Sequence, residues 1–382
     1  MRPGGRAGWL VDLSSRLGDL ERLEEALAVV EEGVTIFRQL AQVRPDAFLP
    51  DLAMSLNTES VCLSDLEREE EALAAAEEAV TIFRQLAQAD PDAFLPDLVA
   101  ALNTQLDYLY FLGRREEALA AAEEAVTIFR QLAQARPDAF LPGLARSLLN
   151  DQSFWLSDLG RREEALAAAE EAVTIFRQLA QADPDAFLPD LAGSLHIQSD
   201  RLDDLGRREE AVAAAGEAAN IVRRLAPARP DAFLGGLARR LDTQSGRLSD
   251  LGRREEALAA AQEAVTICRQ LARIRPAGNL PGLAMSLNTQ SVCLSDLGRR
   301  QEALAAAEEA ADIFRHRAEA DPDVFLPFLA TSLTNLANIL SELNRDAEAS
   351  AIRDEANATV RVLTRLREER VNDQATAQPS DP

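Results

Sequence analysis

The side chains best suited to chemistry in this sequence are amides and carboxylates that return at fixed intervals. One polar position recurs in segments such as LNTQSVCLSD. Its members are Asn57, Asn103, Asn150 and Asn288, with His196, Asp242 and Thr334 at the same position in other copies. An amide both donates and accepts hydrogen bonds, so a column of amides can bind the backbone of an extended peptide. The alternative is a solvated helix face that was copied by duplication.

Aromatic residues form a second candidate site. Tyr110, Phe111 and Phe154 stand at positions that are mostly Ser, Asp or Val in the other copies. Three clustered aromatic rings would anchor an apolar side chain of a bound peptide. The alternative is local repacking around an extra residue in the fourth copy. Tyr108 and Trp155 are expected on another side of the helix, and we assign them to packing.

A row of acidic residues is the third candidate. Each member precedes the C-terminus of a predicted helix, where a negative charge is unfavourable by about 0.3–1 kcal/mol. An arginine pair follows most of them, which favours local ion pairs over a rim that selects basic peptides. The row consists of Asp65, Asp158, Asp204, Asp250, Asp296 and Glu342.

The composition argues against several classes of function. The chain has 64 acidic and 40 basic residues, for a net charge of −24. Nucleic acids and anionic membranes require a basic surface, so neither is an expected partner. Every basic residue is arginine, which removes the lysine that P-loops, kinases and Schiff-base enzymes need.

Metal and cofactor chemistry is not predicted either. The histidines are His196 and His316, and the cysteines are Cys62, Cys268 and Cys293, with no metal-ligand spacing among them. We therefore predict no metal, no cofactor and no catalytic activity. The first residues lack the apolar core of a signal peptide, and no segment approaches the ~20 apolar residues of a membrane span. A cytoplasmic location is expected.

The elements that position these residues come from an internal repeat. The motif EEAL, or a degenerate form of it, recurs every 46 residues, with one interval of 47 caused by an extra residue in LARSLLNDQS. The alanine of the motif occurs once in each repeat, as Ala26, Ala72, Ala118, Ala165, Ala211, Ala257, Ala303 and Ala349. The sequence thus contains eight repeats over residues 7–370.

Each repeat predicts two helices. In the fourth repeat, the apolar residues between Ala165 and Ala180 form a helical stripe, which predicts a helix over 162–182. The other helix is predicted over 281–297 in the seventh repeat, with Gly298 just past its end. The segment PDAFLP, as at 137–142, is interpreted as a turn between repeats. Neither helix can bury its stripe alone, so neighbouring repeats must supply the core.

The spacing of small and apolar residues in the seventh repeat resembles a tetratricopeptide repeat. The matching positions are Leu287, Ser291, Leu294, Gly298, Ala303 and Ala310. The repeat is longer than the usual ~34 residues, and it is similar to those of kinesin light chains and of actinobacterial tandem arrays. The resemblance implies an all-α, right-handed superhelical solenoid whose first helices line a concave groove that binds peptides or protein segments.

The resemblance and the residues together predict organisation and function. We expect disordered segments at 1–6 and 371–382 around a solenoid over 7–370, whose last repeat is a divergent cap. The predicted function is a non-catalytic scaffold for a protein or peptide segment with apolar or basic anchors. Alternatives are a sensor module split from a signalling protein with an ATPase or protease-like effector, and an array without a present partner. The predicted peptide-binding residues are Asn57, Asn103, Tyr110, Phe111, Asn150, Phe154, His196, Asp242 and Asn288.

Overall fold

Alanine- and leucine-rich segments form α-helices along the described residues, which are 3–18, 20 and 22–377 of a computed structural model. Helices α1 to α9 are Pro3–Gly18, Leu23–Val43, Pro45–Asp65, Glu69–Ala89, Pro91–Phe111, Arg115–Ala135, Pro137–Ser147, Phe154–Asp158 and Arg162–Ala182. A π-helical turn, Leu148–Ser153, joins α7 to α8. Helices α10 to α17 are Pro184–Asp204, Arg208–Leu225, Pro230–Asp250, Arg254–Ile274, Pro276–Asp296, Arg300–Ala320, Pro322–Glu342 and Asp346–Ala377.

The chain divides into two bodies, an N-terminal body Met1–Phe187 and a C-terminal body Leu188–Pro382. Within each body, a helix packs against the next one along the chain, and first helices of successive repeats also meet, as α12 meets α14. The described helices form the eight predicted pairs. In the fourth repeat, the π turn divides the first helix into α7 and α8. The prediction of an all-α solenoid is confirmed, and α9 has the predicted bounds.

The alanine of each EEAL motif is the point of closest packing. It is fully buried in all eight repeats, from Ala26 to Ala349. A buried serine of the first helix lies against it in several repeats, where Ser245 Oγ donates to the carbonyl oxygen of Ala257 at 2.8 Å. Small side chains at both positions let the two helices approach closely. This packing explains why the repeat keeps Ala and Ser there.

The interpretation of PDAFLP as a turn is wrong. The first proline begins a helix, and the second lies inside it, as Pro45 and Pro50 do in α3. A proline at the first helical position lacks only an N–H that would be unpaired there. Pro50 removes one further bond, and Phe48 and Leu49 pack against the core beside it. The actual connection is usually the single extended residue before the first proline, such as Arg44, while four residues separate α11 from α12.

The turn within each repeat follows the sequence prediction. Gly298 has φ of +72° just past the end of α14, in the left-handed region where a side chain is strained. Gly113, Gly160, Gly206 and Gly252 repeat this conformation. Glu67 and Asn344 occupy the same position with φ of 59° and 58° in the second and eighth repeats, so the left-handed conformation is common to these seven repeats while glycine is present in five.

The predicted disordered ends stay predictions. Helix α1 begins at Pro3 and α17 ends at Ala377, so each helix includes part of the predicted disordered segments 1–6 and 371–382. Residues 1–2 and 378–382 lie outside the described residues. Helix α16 is long and apolar enough to cross a membrane by length and composition, yet half of it is buried inside the protein. Packing against α15 and α17 accounts for that composition. The cytoplasmic location also stays a prediction.

Candidate functional site

The polar column predicted from the sequence lies along the first helices and is only partly accessible. Asn103 and Asn150 are exposed. The half-buried members are Asn57, His196, Asp242 and Asn288. The column therefore has two kinds of environment, which the sequence did not distinguish.

Two half-buried members join first helices of successive repeats. Asn288 Nδ2 in α14 donates to Ser332 Oγ in α16 at 2.5 Å. Ser286 Oγ in α14 donates to Asp242 in α12 at 2.6 Å. The partner is in both cases the serine 44 residues further along the chain. These positions thus fix the register between repeats, a role that the sequence analysis did not assign to them.

Burial perturbs the titratable members of the column. Burial raises the pKa of Asp242 to about 6, although the hydrogen bond from Ser286 opposes this shift. Burial also lowers the pKa of His196. Asp242 Oδ1 and His196 Nδ1 are enclosed and have no hydrogen-bond partner among the described residues. A negative charge on Asp242 is therefore poorly compensated.

The predicted aromatic residues come together in the N-terminal body. The ring of Tyr110 lies 5.6 Å from that of Phe111 and 6.1 Å from that of Phe154, measured between centroids. Tyr110 and Phe111 are 56% and 65% exposed. Trp155 is buried and contacts both Tyr110 and Phe154, with centroids 5.9 and 5.0 Å away. Tyr108 is buried elsewhere, and its hydroxyl donates to Ser60 Oγ at 3.2 Å.

A pocket of about 260 Å³ opens beside this aromatic cluster. Helix α5 contributes Tyr110, the π turn contributes Asn150, and α8 contributes Phe154 and Trp155. The other lining residues are Leu106, Asp107 and Asp151. Burial, together with the charge of Asp107, raises the pKa of Asp151 to about 6. Burial raises the pKa of Asp107 as well.

The π turn is what absorbs the extra residue of the fourth repeat. Before it Ser147 is buried, and after it Ser153 Oγ donates to the carbonyl oxygen of Ala165 at 2.9 Å, as in the other repeats. The insertion is thus confined to Leu148–Ser153, where Leu148 and Leu149 are both buried. Asn150 and Asp151 occupy the widened turn at the pocket.

The equivalent face of the C-terminal body carries a second pocket, of about 570 Å³. It lies between α14 and α16, and Asn288 and Thr334 of the polar column are part of its wall. By position in the repeat, Val292 of this pocket corresponds to Asp107 of the N-terminal pocket, and Asn338 corresponds to Phe154. Its remaining lining residues are Thr289, Ala330, Thr331 and Asn335. Adjacent first helices therefore form a shallow depression on the same face in both bodies.

The acidic row forms ion pairs and hydrogen bonds between neighbouring repeats. Asp158 accepts from Arg115 of the preceding repeat at 3.0 Å, and Ser249 Oγ donates to Asp296 at 2.8 Å. Glu342 lies 3.7 Å from Arg300 of the preceding repeat. The row thus pairs within the protein, as predicted, but the partners of these three acids lie in the preceding repeat and not in the arginine pair that follows.

Comparison with known families agrees with this geometry. The Tetratricopeptide repeat family matches residues 147–185, 238–272 and 329–356, which cover helix pairs of the observed kind. The chain is a tetratricopeptide repeat protein. The family Anaphase-promoting complex subunit 5 also matches residues 49–92, 98–138 and 282–338 of this tetratricopeptide repeat protein. No curated protein matches its sequence.

Solved structures resemble this tetratricopeptide repeat protein in fold. BtubC (BKLC) from P. vanneervenii is 18% identical with a TM-score of 0.51, over 70% of this chain and 94% of that one. A Signal Transduction ATPase with Numerous Domains (STAND) protein with a tetratricopeptide repeat sensor, from Pyrococcus horikoshii, is 16% identical with a TM-score of 0.55, over 92% of this chain and 49% of that one. The apo form of RapI is 13% identical with a TM-score of 0.53, over 81% and 98%. These similarities show that the chain shares the all-α solenoid fold of these proteins.

Sequence reasoning missed four residues of the N-terminal pocket in this tetratricopeptide repeat protein, one of which is Leu106. Asp107 and Asp151 were not singled out, and Trp155 was assigned to packing alone. The signal was present for Asp151, because it follows the extra residue of the fourth repeat and replaces the threonine of LNTQ. Asp107 stands where two other repeats have Val61 and Val292 and a third has Asp200, so an alignment of the repeats alone does not single it out.

Proposed function

We propose that this tetratricopeptide repeat protein is a non-catalytic scaffold that binds a segment of a protein or peptide along the face of its first helices. The observation that carries the proposal is the pair of pockets at equivalent positions of adjacent first helices. One is lined by amides and hydroxyls, and the other by aromatic rings and carboxylates. Amides and hydroxyls suit a peptide backbone, and exposed rings suit an anchoring side chain.

The predicted binding residues have different parts in this proposal. Asn103 and Asn150 are exposed and free to approach a peptide backbone. Tyr110, Phe111 and Phe154 offer exposed ring surface to an apolar or amphipathic side chain. The half-buried members contact a ligand through their accessible atoms, and they are Asn57, His196, Asp242 and Asn288. Two of them, Asp242 and Asn288, also join first helices of successive repeats.

A peptide-display selection on the intact chain tests the proposal. Enriched peptides should share an anchor side chain and lose at least tenfold in affinity for Asn103→Ala and for the double variant Tyr110→Ala/Phe154→Ala. Gln131→Ala, an exposed residue of the second helix α6, is the matched control and should bind normally. The proposal fails if nothing enriches, or if the enriched peptides bind both site variants as tightly as the parent.

A second candidate function is a sensor module for a signalling effector. It is favoured by the similarity of 92% of this chain to a STAND protein described as having a tetratricopeptide repeat sensor. The test is to find an ATPase or protease-like protein encoded next to this one and to measure its activity with and without the purified chain. A change that disappears with Tyr110→Ala/Phe154→Ala would support this function, and an unaltered activity would contradict it.

A further inference from the structure

The pocket beside the aromatic cluster differs from its equivalent in the C-terminal body by its charge. Asp107 and Asp151 are part of its wall, and the corresponding residues Val292 and Asn335 are neutral. None of the described residues that line it is basic. None of the ion pairs in the described part of the chain includes either carboxylate. The pocket therefore holds two acids that have no cationic partner among the described residues, although the hydroxyl of Ser147 partly stabilises the charge of Asp151.

Both acids are partly withdrawn from water. Burial is the largest cause of the raised pKa of Asp151, about 6, and of the raised pKa of Asp107. The proximity of the two acids adds to the shift for Asp151. A cation placed between them would offset both the lost hydration and the mutual repulsion. The hydroxyl of Ser147 opposes the shift of Asp151 but leaves its pKa at about 6, so a cation in the pocket would still be stabilised.

The rest of the wall has the complementary properties. Tyr110, Phe154 and Trp155 line the same pocket, and the face of an aromatic ring attracts a cation within about 6 Å of its centroid. Leu106 offers apolar surface to a methylene stem. A lysine side chain carries an ammonium group on such a stem, and it is long enough to keep its backbone on the exposed face.

We propose that this pocket binds the ammonium group of a lysine side chain, or of a methylated lysine, in a protein partner of this tetratricopeptide repeat protein. The inference deepens the proposed function, because it names the anchor of the bound segment. A second copy of this sequence cannot supply that side chain, because the sequence contains no lysine. The negative charge of −24 favours encounter with such a basic segment.

The test uses a small probe, so that it does not depend on peptide binding. Trp155 lies in the pocket, and Trp9→Phe leaves it as the only tryptophan. In that background, Nα-acetyl-trimethyllysine amide should change Trp155 fluorescence in a saturable way. Its isostere, with a tert-butyl group in place of trimethylammonium, should bind at least tenfold more weakly. Asp151→Asn and Asp107→Asn should each weaken binding of the cationic probe about fivefold or more.

Asp92→Asn is the matched control, because it removes an exposed charge at the start of α5, the helix that carries Asp107. It should leave the affinity of the probe unchanged. Equal binding of the neutral isostere, an equal loss with Asp92→Asn, or no saturable signal would each overturn the inference. If displayed peptides bind the face but the probe does not, the lysine anchor is wrong and the scaffold stands. If the probe binds and no peptide does, the inference stands and the proposed function fails.

Discussion

Replacement of Asp242 by asparagine should stabilise the protein at neutral pH. Asp242 has asparagine counterparts in Asn57, Asn103, Asn150 and Asn288, and the bond from Asn288 to Ser332 shows that an amide fits this position. The parent instead buries a carboxylate whose pKa is raised from 3.8 to about 6. A shift of about 2 pKa units corresponds to about 3 kcal/mol, at ~1.4 kcal/mol per unit. Asp242→Asn should therefore raise the free energy of unfolding by about 2–3 kcal/mol at pH 7.5.

The sign of the pH dependence follows from the raised pKa. Between pH ~4 and ~6 the folded protein binds the proton of Asp242 more tightly than the unfolded chain, so stability falls as the pH rises. The loss is complete above pH 6 and absent below pH 4, where the carboxyl group is neutral in both states. The advantage of Asp242→Asn should accordingly shrink towards zero at pH 4.

Urea denaturation at pH 7.5, 6, 5 and 4 measures this difference. Other groups that titrate in the window, such as Asp151, are common to both proteins and cancel in the comparison. Asn288→Asp is the reciprocal variant: it should lose about 2–3 kcal/mol at pH 7.5 and regain it on acidification. A gain for Asp242→Asn that does not change with pH, or a loss of stability at pH 7.5, would refute the electrostatic reasoning.

Three further changes test the packing of the repeats. Ala165→Leu should cost about 1–3 kcal/mol of unfolding free energy by overpacking, while Ala167→Leu on the exposed side of α9 should be near neutral in the same urea titration. Gly298→Ala should lower the unfolding free energy by about 1 kcal/mol, because φ there is +72°, whereas Gly193→Ala inside α10, with no atom within 4 Å of the added carbon, should raise it by about 0.5–1 kcal/mol; equal effects would contradict the role of conformation. Deletion of Leu149 should turn the π turn into α-helix and shift the emission maximum of Trp155 in a Trp9→Phe background, and an unchanged spectrum would show that the turn does not shape the pocket.

Local periodicity predicted most of the helices. The stripe from Ala165 to Ala180 determines α9, since its spacing is that of one helix face. PDAFLP was misread because two prolines usually end a helix, whereas here the first begins it and the second lies within its first two turns. Whether a proline begins or ends a helix depends on the preceding residue and on how side chains such as Phe48 pack against the core. That packing cannot be read from the local sequence.

The candidate site was harder to predict, because its geometry depends on residues about one repeat apart. The bond from Asn288 to Ser332 spans 44 residues, so a list of equivalent positions does not reveal it. Asn103, at the same position, is exposed. The clustering of Tyr110 with Phe154 was predicted from their common helix face, but the inclusion of Trp155 depends on the extra residue before it. An insertion changes which side of the helix a residue faces, and only the structure showed that a π turn absorbs it.

Duplication gives every pair of first helices nearly the same backbone, so selectivity must come from the copies that differ. In the C-terminal body the face between α14 and α16 has neutral polar side chains, which offer similar hydrogen bonds to any peptide backbone. In the N-terminal body the same face has acquired two carboxylates and three rings in consecutive repeats. A charge on half-buried Asp151 is unfavourable to folding, as its raised pKa shows. A feature that costs stability and occurs in one copy is better explained by binding than by packing. The N-terminal pocket is accordingly where recognition of a particular partner should be sought.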